Sequence, residues 1–273
     1  METKQNELAL QKLRESASDI ETDPADRRAA AELLAEAGAI ARQYHDVLAR
    51  IDEAGLDANV SVKLTGFGLE LDPTLCRDNL ESVVHDAAAR GTFVRIDMED
   101  SSTTDRTLEL YRELRDGGNG SCGVVLQAYL RRTIDDVDGL ENVRLCKGIY
   151  IEPPELAFRD FEAVRANYVC CLERLVAQGS YVGIATHDEY LIGEALRIVR
   201  EAGVAHDRYE FQMLLGVRSD RADQLVTAGH RLRVYVPYGQ HWYEYSLRRL
   251  QENPKMAGYV AADLLGRVRH AFS

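Results

Sequence analysis

Residues 181–188 read YVGIATHD. A short run of β-forming residues ends in Thr186, His187 and Asp188, and Asp188 is placed to cap a helix that Gly203 closes. The stretch is one strand–loop–helix unit with its polar residues gathered where the strand ends. The same order recurs along the chain. Strands are expected at 59–65 (NVSVKLT), 92–98 (TFVRIDM), 123–129 (GVVLQAY), 142–147 (NVRLCK), 181–186 (YVGIAT), 209–214 (YEFQML) and 231–236 (RLRVYV). Several are near-continuous apolar runs, the pattern of parallel strands covered on both faces.

Helices separate the strands. Asp23-Pro24 opens a long one, as N-cap and first helical residue, and Gly55 closes it. Another starts at Pro73 and ends at Gly91, and others are expected over 154–179 and 240–252. Repeated strand–helix units imply a parallel sheet, because parallel strands need crossovers. Seven strands in 273 residues point to an α/β fold of the (β/α)8 TIM-barrel type with one strand unaccounted for. That first strand is weak or atypical. The available segment is 7–13 (ELALQKL), which reads more helical than extended. The alternative, an open doubly wound sheet, would normally carry a G-x-G-x-x-G turn directly after its first strand, and the strand ending at residue 65 runs into GFGLEL instead. The expected organisation is an N-terminal segment over 1–22 and a barrel over 23–273.

Composition narrows the function. Thirty-three Lys and Arg against 45 Asp and Glu leave a net charge of −12, which argues against an electrostatic nucleic-acid binder. No apolar run reaches the length of a transmembrane segment, and the N-terminus has no apolar signal core. Five cysteines without a C-x-x-C pair argue against a disulfide framework or a zinc site, and favour a reducing cytoplasm. No H-x-x-x-H pairing supports a histidine metal site, and the acidic run Asp97–Asp100 would hold magnesium only with help from a substrate phosphate. No metal is expected.

In a parallel barrel the chemistry lies at the C-terminal ends of the strands. Those ends deliver Lys63, Asp97 with Glu99 and Asp100, Gln127, Arg144 with Lys147, Thr186 with His187 and Asp188, Gln212, and Tyr235. Lys63, Asp97, Gln127, Arg144 and Gln212 lie inside or at the edge of apolar strands, where a polar group needs a partner or a ligand. The last helix adds Arg248 and Arg249, with Glu252 one turn on. Together with Lys63, Arg144 and Lys147 they make a positive pocket in an acidic protein, suited to a carboxylate or phosphate. Tyr235, Tyr238, Trp242, Tyr243 and Tyr245 could wall that pocket against a flat ring.

Eight motifs in order then carry a resemblance: SVKLT (61–65), RIDMEDS (95–101), VLQAY (125–129), VRLCKGIY (143–150), ATHD (185–188), YEFQML (209–214), VYVPYG (234–239) and WYEYSLRRLQE (242–252). The chain resembles the FAD-dependent proline dehydrogenases of the monofunctional bacterial type. The resemblance implies a distorted (β/α)8 barrel holding FAD at its mouth. It implies oxidation of L-proline to Δ1-pyrroline-5-carboxylate, electrons passed to a membrane quinone, and coupling to a pyrroline-5-carboxylate dehydrogenase. Carried over position by position, it implies that Lys63, Arg248 and Arg249 hold the proline carboxylate, with Glu252 buttressing the arginines. Leu214 and Tyr235 shape the ring pocket. Asp97 and Arg144 sit at the catalytic centre with Tyr235, and Met98, Gln127, Arg144, Lys147, Gly148, Ile149, Thr186, His187 and Gln212 line the FAD. Such an enzyme would work in the cytoplasm, visiting the membrane face to reduce its quinone.

Two positions depart from the family pattern. The first-strand segment has Gln11 where Asp is usual and Arg14 where Gly is usual, while Glu15 matches. Phe161 stands where a Lys often contacts FAD, with Arg159 and Arg165 near enough to substitute. Three competing readings remain open at this level. One is a class I aldolase-like barrel with Lys63 or Lys147 as Schiff-base nucleophile. Another is a barrel that only binds. The third is a methylenetetrahydrofolate reductase-like flavin barrel, which the Arg248-Arg249 and Tyr235 arrangement disfavours.

Overall fold

The structure, a computed structural model, describes residues 24–239. All seven expected strands occur within them: β1 (Val60–Val62), β2 (Val94–Ile96), β3 (Cys122–Gln127), β4 (Asn142–Cys146), β5 (Tyr181–Ala185), β6 (Tyr209–Leu214) and β7 (Leu232–Tyr235). Their order in the sheet is the order of the chain, β1 through β7. The pairings whose register is defined are all parallel. A doubly wound sheet reverses its order at a switch point, so sequential order marks the barrel-type α/β class. The G-x-G-x-x-G spacing does occur at Gly118, Gly120 and Gly123, but it leads into β3 rather than from a strand into a helix.

The helices between strands are α1 (Pro24–Glu53), α2 (Pro73–Ala89), α3 (Thr104–Asp116), α4 (Thr133–Asp136), α5 (Phe161–Ala177), α6 (Glu189–Glu201) and α7 (Ser219–Thr227). Two compact units divide the chain, Met1–Val124 and Val125–Ser273.

In the first unit α1 packs on α2. Ala37, Ala41 and Leu48 of α1 are buried, a stripe at helical spacing. Tyr44 continues it. Its ring meets Phe67 edge-on with centroids 5.4 Å apart, and its hydroxyl donates to the Ser61 carbonyl at 2.9 Å. α2 starts where expected because Asp72 accepts from the Thr74 and Leu75 N–H groups at 2.8 and 3.2 Å, ahead of Pro73. β1 is shorter than its apolar run, because the chain turns into a 3-10 segment at Thr65–Phe67.

In the second unit α6 buries Leu191, Ile192, Ala195, Ile198 and Val199, one continuous apolar face. The four larger side chains, Leu191, Ile192, Ile198 and Val199, each contribute about 1.5–3 kcal/mol when taken out of water. The Tyr168 hydroxyl donates to the Leu145 carbonyl at 3.0 Å, tying α5 to β4.

The expected helix over 154–179 starts later, at Phe161. Residues before it pair with another segment instead. Leu130 and Ala157 form an antiparallel bridge, Arg131 N–H donates to Leu156 O at 2.9 Å, and Phe158 N–H donates to Tyr129 O at 2.7 Å. Tyr129, Leu130, Ala157 and Val164 make a small apolar cluster there. The helix begins at the residue after Asp160, whose side chain accepts from Ala163 N–H at 2.8 Å. The expected strand over 7–13 and helix over 240–252 lie outside the described residues.

Candidate active site

In the first unit the ends of β1 and β2 bring Lys63 to Asp97. Asp97 N–H donates to Val62 O at 2.8 Å, which extends the β1–β2 register one residue past the strands. Lys63 Nζ then lies 3.8 Å from Asp97 Oδ2, the lysine half exposed and the aspartate mostly buried. Met98, the next residue, is buried. The carboxylates of the acidic run part company. Glu99 accepts from Thr65 N–H at 3.1 Å and from its hydroxyl at 2.6 Å. Asp100 accepts from Ser102 N–H at 3.0 Å and caps the 3-10 turn Ser101–Thr103. Burial pushes the Tyr44 hydroxyl up to about 12, and the charges of Asp97 and Glu99 add to the shift. Among the described residues no group of three or more His, Cys, Asp or Glu could hold a metal ion.

In the second unit a chain of polar side chains crosses β4 to β7. Arg144 Nε donates to Gln212 Oε1 at 2.5 Å. Gln212 Nε2 donates to Glu210 Oε1 at 2.6 Å. Glu210 accepts in turn from Arg233 Nε at 2.9 and 3.0 Å and from the Tyr181 hydroxyl at 3.0 Å. The Tyr235 ring underlies the Arg144 guanidinium, 5.3 Å from its centroid. β5 lies between β4 and β6, so a side chain reaching from one to the other must cross it. Gly183 makes the crossing possible. It pairs with Arg144 on one side and Glu210 on the other, and a Cβ there would strike the Gln212 amide. Leu214 and Tyr235 are register partners on β6 and β7, two positions past Gln212 and Arg233.

A second cluster forms around Asp188. Its carboxylate accepts from Arg165 at 2.7 and 3.0 Å and from Lys147 Nζ at 3.3 Å, and it caps α6 through Tyr190 N–H at 3.2 Å. Burial opposes the charge, but the Arg165 hydrogen bonds and the Lys147 charge hold the carboxyl below the usual range. Asp188 N–H donates to the Thr186 hydroxyl at 3.1 Å. Phe161 stacks against both cations, 4.9 Å from Lys147 Nζ and 4.2 Å from the Arg165 guanidinium. Gly148 has φ +101°, and a Cβ there would be driven into the Tyr129 ring. Ile149 beside it is exposed. His187 Nε2 accepts from Leu214 N–H at 3.0 Å, which puts any ring proton on Nδ1. Burial lowers its pKa to about 4, helped by the charges of Arg218 and Lys147. The imidazole is therefore neutral at physiological pH.

The expected residues fall into two groups. Lys63, Asp97 and Met98 belong to the first unit. Gln127, Arg144, Lys147, Gly148, Ile149, Thr186, His187, Gln212, Leu214 and Tyr235 belong to the second, on or after β3 to β7. Arg248, Arg249 and Glu252 lie outside the described residues. Arg165, named as a substitute cation, is committed to Asp188, and its guanidinium is covered by Phe161. Sequence reasoning missed Glu210, Tyr181 and Arg233. Glu210 carried a signal: it lies two residues before Gln212 on the same face of a buried strand.

A family model described as proline dehydrogenase matches residues 4–262. Proline dehydrogenase 2 of Bacillus subtilis is 38% identical over 217 residues, covering 78% of this chain and 71% of the relative. Proline dehydrogenase of Deinococcus radiodurans is 39% identical over 220 residues, with the same coverage of 78% and 71%. Among solved structures, proline utilization A from Bdellovibrio bacteriovorus, inactivated by N-propargylglycine, superposes with a TM-score of 0.74 at 24% identity. That match covers 82% of this chain but only 29% of the solved one, so the likeness is one of fold over a part of a longer protein. The sequence and its curated relatives together show that this chain belongs to the proline dehydrogenase family.

Proposed function

We propose that this protein oxidises L-proline to Δ1-pyrroline-5-carboxylate with FAD as its cofactor, and that the electrons pass on to a quinone. The observation that carries the reading is Arg144, a buried guanidinium held by Gln212 from β6 and backed by the Tyr235 ring from β7. A cation fixed in a place of low dielectric stabilises developing negative charge far better than one in water. FAD, when bound, supplies the chemistry by accepting a hydride from the proline ring carbon.

The residues present fit that cofactor. Gln127, Thr186 and Gln212 are buried polar groups at strand ends, able to hydrogen bond the edge of a flat heteroaromatic ring. Arg144 and Lys147 supply positive charge for an anionic group. Ile149 and Phe161 offer exposed apolar surface next to Lys147. His187, neutral, adds no competing charge.

The substrate side follows the same logic. Lys63, with Arg248 and Arg249 buttressed by Glu252, holds the proline carboxylate. Asp97 keeps the Lys63 ammonium in place, and Leu214 with Tyr235 forms the apolar seat for the ring. Such a clamp turns oxidation into a positioning problem, because it sets the reacting carbon in one place. The proton lost from the ring nitrogen leaves to solvent or to a nearby acceptor. The aldolase alternative needs a neutral amine, whereas Lys147 is ion-paired to Asp188. A functional link to a pyrroline-5-carboxylate dehydrogenase, and work at the cytoplasmic membrane face, complete the reading. No helix among the described residues is long and apolar enough to cross a membrane.

The test is a visible absorption spectrum of the protein with FAD, taken anaerobically before and after L-proline. Bleaching of the flavin bands is the expected result. A bound flavin that stays oxidised, or protein that takes up no FAD, overturns the reading.

A further inference from the structure

We propose that Glu210 is a positioning residue for the redox centre: it fixes which way the Gln212 amide faces and, through that amide, where the Arg144 guanidinium points. The inference rests on the FAD reading above.

The two ends of a glutamine amide are chemically opposite, one donating and the other accepting. A carboxylate accepts only. With Glu210 Oε1 2.6 Å from the Gln212 amide, the NH2 end must face Glu210, and the oxygen is left facing Arg144 Nε at 2.5 Å. The reverse orientation would set oxygen against oxygen at one end and N–H against N–H at the other. Glu210 is itself held rigidly. It is 1% exposed, Arg233 spans both its oxygens, and Tyr181 donates to the second. A carboxylate so engaged is an orienting anchor rather than a base. Gly183 adds the space: with no side chain on β5, the Gln212 amide can lie across the strand and reach Arg144 on β4.

Two substitutions separate position from charge. Glu210→Gln keeps the shape but replaces an obligate acceptor by a group that donates or accepts, so the Gln212 orientation is no longer specified. Gly183→Ala leaves every charge intact, yet its methyl displaces the Gln212 amide. That amide is the far end of a flexible side chain, so the fold survives. Wild type and variants are loaded with FAD. Retained flavin, the flavin midpoint potential, and kcat and KM for L-proline are then measured.

Both variants are expected to keep their flavin and to show a lower potential, because a displaced Arg144 stabilises the reduced flavin less. kcat falls about tenfold or more, with KM for proline little changed. Unchanged potential and kcat in both variants overturn the proposal. So does a shift in Glu210→Gln alone, which would mean that Glu210 acts by its charge. If Glu210→Gln does not fold, Gly183→Ala still overturns the proposal when its potential and kcat are those of wild type. Failure of the wild type to bind FAD or to bleach with proline is a separate result, seen without any variant, and counts against the cofactor reading.

Discussion

Arg165 grips Asp188 with two nitrogens, Nη2 at 2.7 Å from one carboxylate oxygen and Nε at 3.0 Å from the other. This forked contact leaves Asp188 able to hold Lys147 at 3.3 Å on its remaining side. Arg165→Met removes the fork and frees Lys147 to move. The expected outcome is about tenfold weaker FAD binding, equivalent to about 1.4 kcal/mol. A fluorescence titration of flavin-free protein with FAD checks it, and an unchanged affinity would remove Lys147 from the cofactor site.

The neutral His187 predicts an acid weakness. Its folded pKa, about 4, lies below the ordinary histidine value of 6.5, so the unfolded chain binds more protons between those values. Stability is fully present above about pH 6.5 and falls as the pH drops toward 4. The loss is about 3 kcal/mol. Asp188 adds a separate loss at lower pH. Its depressed carboxyl stabilises the fold above the ordinary carboxylate pKa of about 4, and that contribution disappears as the pH falls below it. Denaturant titrations at pH 7, 5.5 and 4.5 should show the first effect in wild type and a flatter profile in His187→Gln.

Gly148→Ala should be costly. The residue would sit at φ +101°, where side chains are strained, and its methyl would enter the Tyr129 ring. A loss of about 3 kcal/mol or more is expected in denaturant unfolding. A variant as stable as wild type would mean that the loop after β4 can be rebuilt freely.

Thiol reactivity should follow burial. Burial pushes the thiols of Cys76 and Cys171 up to about 12 and that of Cys122 to about 11. Cys170, next to Cys171 on α5, is exposed. Iodoacetamide at pH 8 should label Cys170 in the native protein well before the buried Cys76, Cys122 and Cys171, as peptide mass analysis would show.

The outer pair Lys63–Asp97 should matter for function more than for stability. Lys63 is half exposed, and ion pairs of that kind contribute about 0–1 kcal/mol. Asp97→Asn is expected to leave the unfolding midpoint nearly unchanged while KM for L-proline rises. A large loss of stability with unaltered KM would assign the pair a purely structural task.

The strands were legible because apolar runs and glycine stops are local signals. β6, Tyr209–Leu214, has the bounds expected from its sequence. The start of α5 was not legible. Nothing within 154–160 announces that Ala157 pairs with Leu130, a contact between segments far apart in the chain. The site shows the same division. Arg144 and Gln212 stood out as polar residues in apolar strands. Glu210 sat in the same strand as Gln212, yet its role depends on Arg233, Tyr181 and the gap at Gly183, three partners on neighbouring strands. Arg165 was readable as a nearby cation, but its commitment to Asp188 depends on where α5 begins.

Strand pairing in the second unit bears on how the chain is made. β5 pairs with β4, β6 with β5 and β7 with β6, so each strand's partner has already been synthesised when it emerges. At a translation rate of about 5–20 residues per second, an open strand edge waits only seconds for the next strand. Growth by addition to a finished edge keeps the nascent sheet from offering that edge to neighbouring chains for long. Circular permutants that separate β4 from β5 in synthesis order would lose this protection while keeping every native contact.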